Sequence, residues 1–167
     1  MGTVQTETEA SSGTTGRWLT PDEQDAWRAF LATSKLLFRQ LDRDLQPFGL
    51  SINDYEILVV LSESPDHRLR MTDLADATAQ SRSRLSHQIT RMEAAGLVRR
   101  DTCPGDKRGL FTVLTDTGMA TIERVAPEHV DSVRRHFINL LTPDQLAALR
   151  EGYAAVTTHL RQIRERD

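Results

Sequence analysis

The stretch SRSRLSHQITRME, residues 81–93, places polar donors and an apolar stripe on one short segment. Leu85, Ile89 and Met92 recur at helical spacing and supply a packing face. Ser81, Arg82, Ser83, Arg84, Ser86, His87, Gln88 and Arg91 occupy the other positions. These side-chain types suit the reading of nucleic acid. An Arg guanidinium donates twice to guanine O6 and N7, and a Gln amide pairs likewise with adenine. Short serines allow close approach to a base or phosphate, and a helix N-terminus attracts phosphate. A helix that only filled a core would not need these donors, and one that only faced solvent would not need the stripe.

A second set of candidates follows in PGDKRG, residues 104–109, which reads as the tip of a β-hairpin between LVRRDTC and LFTVLT. An inserted Arg suits the negative potential of a narrow minor groove. Arg108 is placed for that role, Asp106 for orienting it, and Lys107 for a phosphate. The net charge of −3 speaks against nucleic acid as a partner, but its distribution does not. Residues 80–108 hold seven basic and three acidic groups, a local charge of +4, which leaves −7 on the rest of the chain. Such a basic patch matters more for nucleic-acid binding than the total.

The elements that must position these residues are mostly helical. TPDE, residues 20–23, is a capping box, and Trp27, Phe30, Leu31, Leu37, Phe38, Leu41 and Leu45 follow it at helical spacing up to Pro47 and Gly49. That helix has about 25 residues and spans ~37 Å, too long for one small domain to cover its apolar face. Ser51 is expected to cap a second helix, ESPDHR to form a loop, and Thr72 to cap a short third helix. The helix opening at Ser81 should end at Gly96. After the hairpin, Thr115 starts a further helix, which Pro127 should kink or break, and TPDQ at 142–145 starts the last. The fold class is mainly α with a small β-hairpin wing: a winged helix-turn-helix flanked by long helices that pair with a second chain. Residues 1–17 read as a disordered tail, 18–50 as an N-terminal dimerisation helix, 51–115 as the DNA-binding domain and 116–167 as C-terminal dimerisation helices.

The run MTDLADATAQSRSRLSHQITRMEAAGLVRRDTCPGDKRGLFTVLTDTG, with its D-K-R-G wing tip and the LTDTG that restarts a helix, resembles the MarR-type family of bacterial transcriptional regulators. The resemblance spans residues 19–162 in element order and is strongest over 71–118. It implies a cytoplasmic homodimer on a palindromic operator in double-stranded DNA, repression as the default, and release by a small aromatic or other organic effector or by thiol oxidation. Aromatic effectors in such proteins bind between the dimerisation helices and the DNA-binding lobe, which makes Trp27 and Tyr55 candidate effector contacts.

Other features carry plainer readings. His67, Arg68 and Arg70 read as solvated loop charges that a ligand carboxylate could meet. Cys103 lies near Arg99 and Arg100, which would lower its pKa, but peroxide-sensing relatives carry their cysteine in the first helix, where this chain has none. His129 and His136 share a helix face without the companions a zinc site needs, and read as surface or interface histidines. No cofactor or metal is expected. No stretch reaches the length of a membrane span, and the single cysteine fits a reducing compartment. Nucleophile elbow, phosphate loop and HExxH motifs are absent from the sequence, which argues against an enzyme. The alternative function is a winged helix that serves as an architectural DNA binder or protein-interaction module, without effector control.

Overall fold

The computed structural model describes residues 18–103 and 106–164, and of residues 103, 106–108 and 164 the backbone only. The chain divides between Ser34 and Lys35 into two compact units. Among the described residues no helix is long and apolar enough to cross a membrane.

Helix α1 runs over Pro21–Leu45. Its start is the capping box read from TPDE: Glu23 N donates to Thr20 Oγ1 at 3.3 Å, and Thr20 N donates to Glu23 Oε2 at 2.7 Å. Helix α2, Ile52–Ser62, begins at Ser51 with a second capping box, formed with Asp54. Asp42 adds a further acceptor there, taking the Ile52 N–H at 2.9 Å. Two carboxylates thus sit where the helix N-terminus is positive. Helix α3, Met71–Ala77, and helix α4, Arg82–Ala94, follow; Ser81 caps α4, accepting from Arg84 N at 3.3 Å.

The core lies among these three helices and the sheet. Ile57, Leu58 and Leu61 of α2, Leu74 of α3 and Leu85 and Ile89 of α4 are all fully buried. Met92 completes the expected stripe. Strands β1 (Arg68–Arg70), β2 (Val98–Cys103) and β3 (Asp106–Leu114) form an antiparallel sheet in the order β1-β3-β2. Helix α5, Asp116–His136, and helix α6, Pro143–Arg164, complete the chain. Thr142 and Gln145 form a third reciprocal capping box at the start of α6.

Four expectations need correction. The ESPDHR segment is not all loop: it turns through a short 3-10 helix and feeds β1, because β3 offers an edge that Arg68–Arg70 can pair with. Thr72 is not the cap of α3. The helix starts two residues earlier, at Met71 with Arg70 as its N-cap, and Thr72 Oγ1 instead donates to Asp73. Pro127 does not break α5, which runs through it as one helix. Both Pro127 and Glu123, whose carbonyl loses its partner, are exposed, so water can take the freed group. The hairpin tip is also shorter than PGDKRG suggests. Strand β3 already starts at Asp106, opposite Cys103, and the register shifts before Leu110 pairs with Thr102. The backbone of Lys107 and Arg108 therefore belongs to a shifted strand segment rather than to a free tip.

The LTDTG segment has a packing reason. Thr115 caps α5 by accepting from Gly118 N at 3.0 Å, while its own N–H donates to Leu97 O at 3.1 Å. This draws α5 against the start of β2. A Cβ on Gly118 would lie 2.1 Å from Leu97 O and 2.6 Å from Leu114 Cδ1. Gly118→Ala should therefore cost about 2 kcal/mol or more in urea unfolding, as overpacking against an immovable carbonyl does. A substitution in open space, such as Gly152→Ala, should not destabilise.

Candidate nucleic-acid interface

Helix α4 meets the two demands its sequence suggested. Its apolar stripe is locked into the core, and Ser81, Arg82, Ser83, Arg84, Ser86, His87 and Arg91 are exposed, with Gln88 half-buried. Their hydrogen bonds divide them into two groups.

The C-terminal group is tied inward. Asp54, at the start of α2, is buried, and its Oδ1 accepts from Arg91 NH2 at 2.6 Å and from Gln88 Nε2 at 3.0 Å. Its Oδ2 accepts from Ser51 N at 2.9 Å and Ser51 Oγ at 2.6 Å. Burial alone would raise this carboxyl's pKa. The hydrogen bonds from Ser51 and Gln88 and the charge of Arg91 outweigh burial, and the net effect lowers it. Arg91 keeps much of its side chain in solvent, so it can still meet a phosphate, but one donor is already committed.

A second brace joins α4 to the hairpin. Arg100 NH1 pairs with Glu93 Oε2 at 2.6 Å, its NH2 donates to Ser86 O and Thr90 Oγ1, and its N–H donates to Glu93 Oε1. Arg100 counts toward the basic segment in the sequence, yet here it holds β2 against α4.

The N-terminal group is uncommitted. Ser81 spends its hydroxyl as the cap, but Arg82, Arg84 and His87 make no ion pair among the described residues. A concavity of about 440 Å³ runs beside them, lined by Ser51, Asn53, Arg84, His87, Gln88 and Arg91. This surface offers guanidinium, imidazole and amide donors next to a helix N-terminus, a chemistry that accepts phosphates and base edges. The side chains of Asp106, Lys107 and Arg108 lie outside the described residues, as does that of Cys103.

Arg68 and Arg70 are not loop charges. Their guanidinium groups lie 5.1 and 5.7 Å from the Phe111 ring centre on the sheet. His136 approaches Asp44 Oδ2 at 3.2 Å, and Ser132 donates to the same oxygen, which joins α5 to the end of α1. His129 is not a plain surface histidine. Its ring packs 4.2 Å from that of Tyr55, and its Nδ1 is buried without a hydrogen-bond partner among the described residues.

Tyr55 and His129 line a cavity of about 690 Å³ together with the apolar Phe38, Ile52, Val59 and Val60. Its size is that of a small-molecule site. Trp27, the other effector candidate, belongs to the first unit, where it stacks on Phe30 at 5.7 Å and stays half exposed.

Sequence reasoning missed Asp54 and His129. Asp54 stands three residues after the cap Ser51, and that S-x-x-D spacing was the available signal. The sequence marks His129 only as a surface or interface histidine, since only the fold brings it to Tyr55.

Comparison with known proteins supplies independent findings. The model of the MarR family matches residues 48–109. The chain is 30% identical over 128 residues to the HTH-type transcriptional regulator PecS of Dickeya dadantii, covering 76% of each. It is 61% identical to AbsC, a MarR family transcriptional regulator from Streptomyces coelicolor, whose crystal structure superposes with a TM-score of 0.83 over 87% of this chain and 99% of that one. Sco3205, a MarR family regulator from the same organism solved in complex with DNA, is 46% identical, with a TM-score of 0.84 over 89% and 93% of the two chains.

Asp54 sets a pH dependence. A carboxyl whose pKa is lowered on folding contributes stability in full above its unfolded value of ~3.9 and loses it as pH falls toward the folded value. At neutral pH, Asp54→Asn should be on the order of 2 kcal/mol less stable than wild type. In urea titrations the gap should narrow below about pH 4.

Proposed function

The chain belongs to the MarR family of transcriptional regulators, and we propose that it acts as a homodimeric repressor of a palindromic operator, released by a small organic effector. The observation that carries the reading is the N-terminal half of α4, whose Arg82, Ser83, Arg84 and His87 stand exposed and uncommitted on a helix fixed to the core. In this reading they enter the major groove. Arg108 reaches the adjacent minor groove, with Lys107 on phosphate and Asp106 orienting the arginine.

Support for the homodimer comes from the flanking helices. Helix α6 leaves Tyr153, Val156, Leu160 and Ile163 exposed along one face. Trp18, Trp27 and Phe30 of the first unit are exposed too. Apolar faces of this extent mark an interface. Two reading heads joined through residues 18–50 and 116–167 would span half-sites about one helical turn apart, or a multiple of it.

Support for effector control comes from α2. Its successive residues Asp54 and Tyr55 face different partners: Asp54 holds Gln88 and Arg91 of α4, and Tyr55 lines the cavity. An occupant that shifts α2 would therefore move the recognition helix. The effector lowers DNA affinity to the extent that it binds the displaced state more tightly, and DNA lowers effector affinity by the same factor.

The test is a titration of duplex DNA, selected from the region upstream of the protein's own gene, at two salt concentrations. Wild type should bind tightly, with affinity falling as salt rises. Arg84→Ala and Arg108→Ala should each weaken binding by about tenfold or more. Arg150→Ala, an exposed change on α6, should leave it unchanged. A protein whose affinity ignores Arg84, Arg108 and salt does not use this surface for DNA.

A further inference from the structure

The concavity beside α4 has a second wall. Arg84, His87, Gln88 and Arg91 line it from α4, and Ser51 and Asn53 line it from the first turn of α2. Half of this lining is already paired, since Ser51, Gln88 and Arg91 all donate to Asp54. The other half is open. The side chains of Arg84, His87 and Asn53 make no hydrogen bond among the described residues. Arg84 and His87 are three residues apart and share one side of α4, and Asn53 meets them across the gap. The backbone of Asn53 is open as well. The Ile52 N–H goes to Asp42 Oδ1 at 2.9 Å and the Asp54 N–H to Ser51 Oγ at 3.1 Å, while the Asn53 N–H between them has no acceptor among the described residues. Arg91 and Asp54 cancel as a pair at 2.6 Å, which leaves the Arg84 guanidinium as the one permanent unbalanced charge on this lining. A phosphodiester carries a single negative charge on oxygens that only accept hydrogen bonds, so it complements both the charge and the donors.

We infer that this concavity seats one backbone phosphate of the bound duplex, held by the Asn53 amide on α2 against Arg84 and His87 on α4. The inference rests on the DNA-binding reading of α4 and adds a contact from a helix outside the helix-turn-helix pair. Phosphates line the walls of the groove that α4 would enter. One of them clamped between α2 and α4 sets the depth and tilt of the recognition helix without reading a base itself. Asn53 is suited to this because its amide is neutral and short. It aims the phosphate while Arg84 supplies the charge.

The experiment is a methylphosphonate scan of the selected operator with the full-length protein, each duplex having a methyl group in place of one charged phosphate oxygen. In wild type, neutralising one particular phosphate in each half-site should weaken binding by about tenfold or more. In Asn53→Ala the loss at that phosphate should shrink by about threefold or more while losses at other phosphates stay as they are, because only groups in contact are coupled. A folding defect would instead lower affinity for every duplex and leave the pattern unshifted. Asn53→Ala should weaken operator and scrambled duplex alike, by about fivefold. It should leave the salt dependence unchanged, since a neutral donor releases no counterion, whereas Arg84→Ala should reduce the slope by about one. Asn53→Asp, which sets a like charge against the phosphate, should bind more weakly than Asn53→Ala. The inference is overturned if the scan pattern of Asn53→Ala matches that of wild type, or if Asn53→Asp binds as tightly as wild type. A loss confined to Arg84→Ala would then leave the DNA-binding reading standing, while a wild type that binds no duplex removes both.

Discussion

A buried carboxylate has to be satisfied, and Asp54 is the group around which the reading head is arranged. It lies at the first turn of α2, accepts both the backbone N–H and the hydroxyl of Ser51, and takes Gln88 and Arg91 from α4 on its other oxygen. Removing any of these donors would leave negative charge in a site with little water, which is far more costly than the loss of one exposed hydrogen bond. The angle between α2 and α4 is therefore held by a polar constraint as well as by the Leu85 and Ile89 packing. The same constraint divides α4. Its C-terminal half is spent on the fold, and its N-terminal half is left for a partner.

The remaining contacts extend this arrangement outward. Arg100 ties β2 to Glu93, Thr90 and the Ser86 carbonyl, so the hairpin is oriented by the helix it accompanies. Thr115 then fastens the far end of the hairpin to α5 through Gly96 O and Leu97 O, and Gly118 lets that helix come close. Asp44 joins α5 to the end of α1 through Ser132 and His136. Each junction uses one polar side chain that bridges two elements, so motion at one can be passed to the next. The Tyr55 and His129 cavity lies one residue along α2 from Asp54.

Much of this was legible in the sequence because it rests on local rules. The capping boxes at Thr20 and Thr142, the caps at Ser51, Ser81 and Thr115, and the stripe of Leu85, Ile89 and Met92 depend on residues three or four apart. What escaped was set by tertiary pairing. β1 exists only because β3 passes beside Arg68–Arg70. Pro127 reads as a breaker until its exposed surroundings are known. Arg91, Gln88 and Arg100 look like parts of a single basic face, and only the fold shows that Asp54 and Glu93 claim them. His129 became notable only when α5 brought it to Tyr55, a separation in sequence that no local pattern spans.

The central claim is that Asp54 positions α4 for sequence-specific reading and does more than stabilise the domain. The most direct measurement is the ratio of affinities for a selected operator and a scrambled duplex, in wild type and Asp54→Asn, at a temperature where both are folded. The account predicts that Asp54→Asn lowers the ratio by about tenfold or more while binding to scrambled DNA changes little, since backbone contacts tolerate a tilted helix and base contacts do not. An unchanged ratio would contradict it and reduce Asp54 to a stabilising residue.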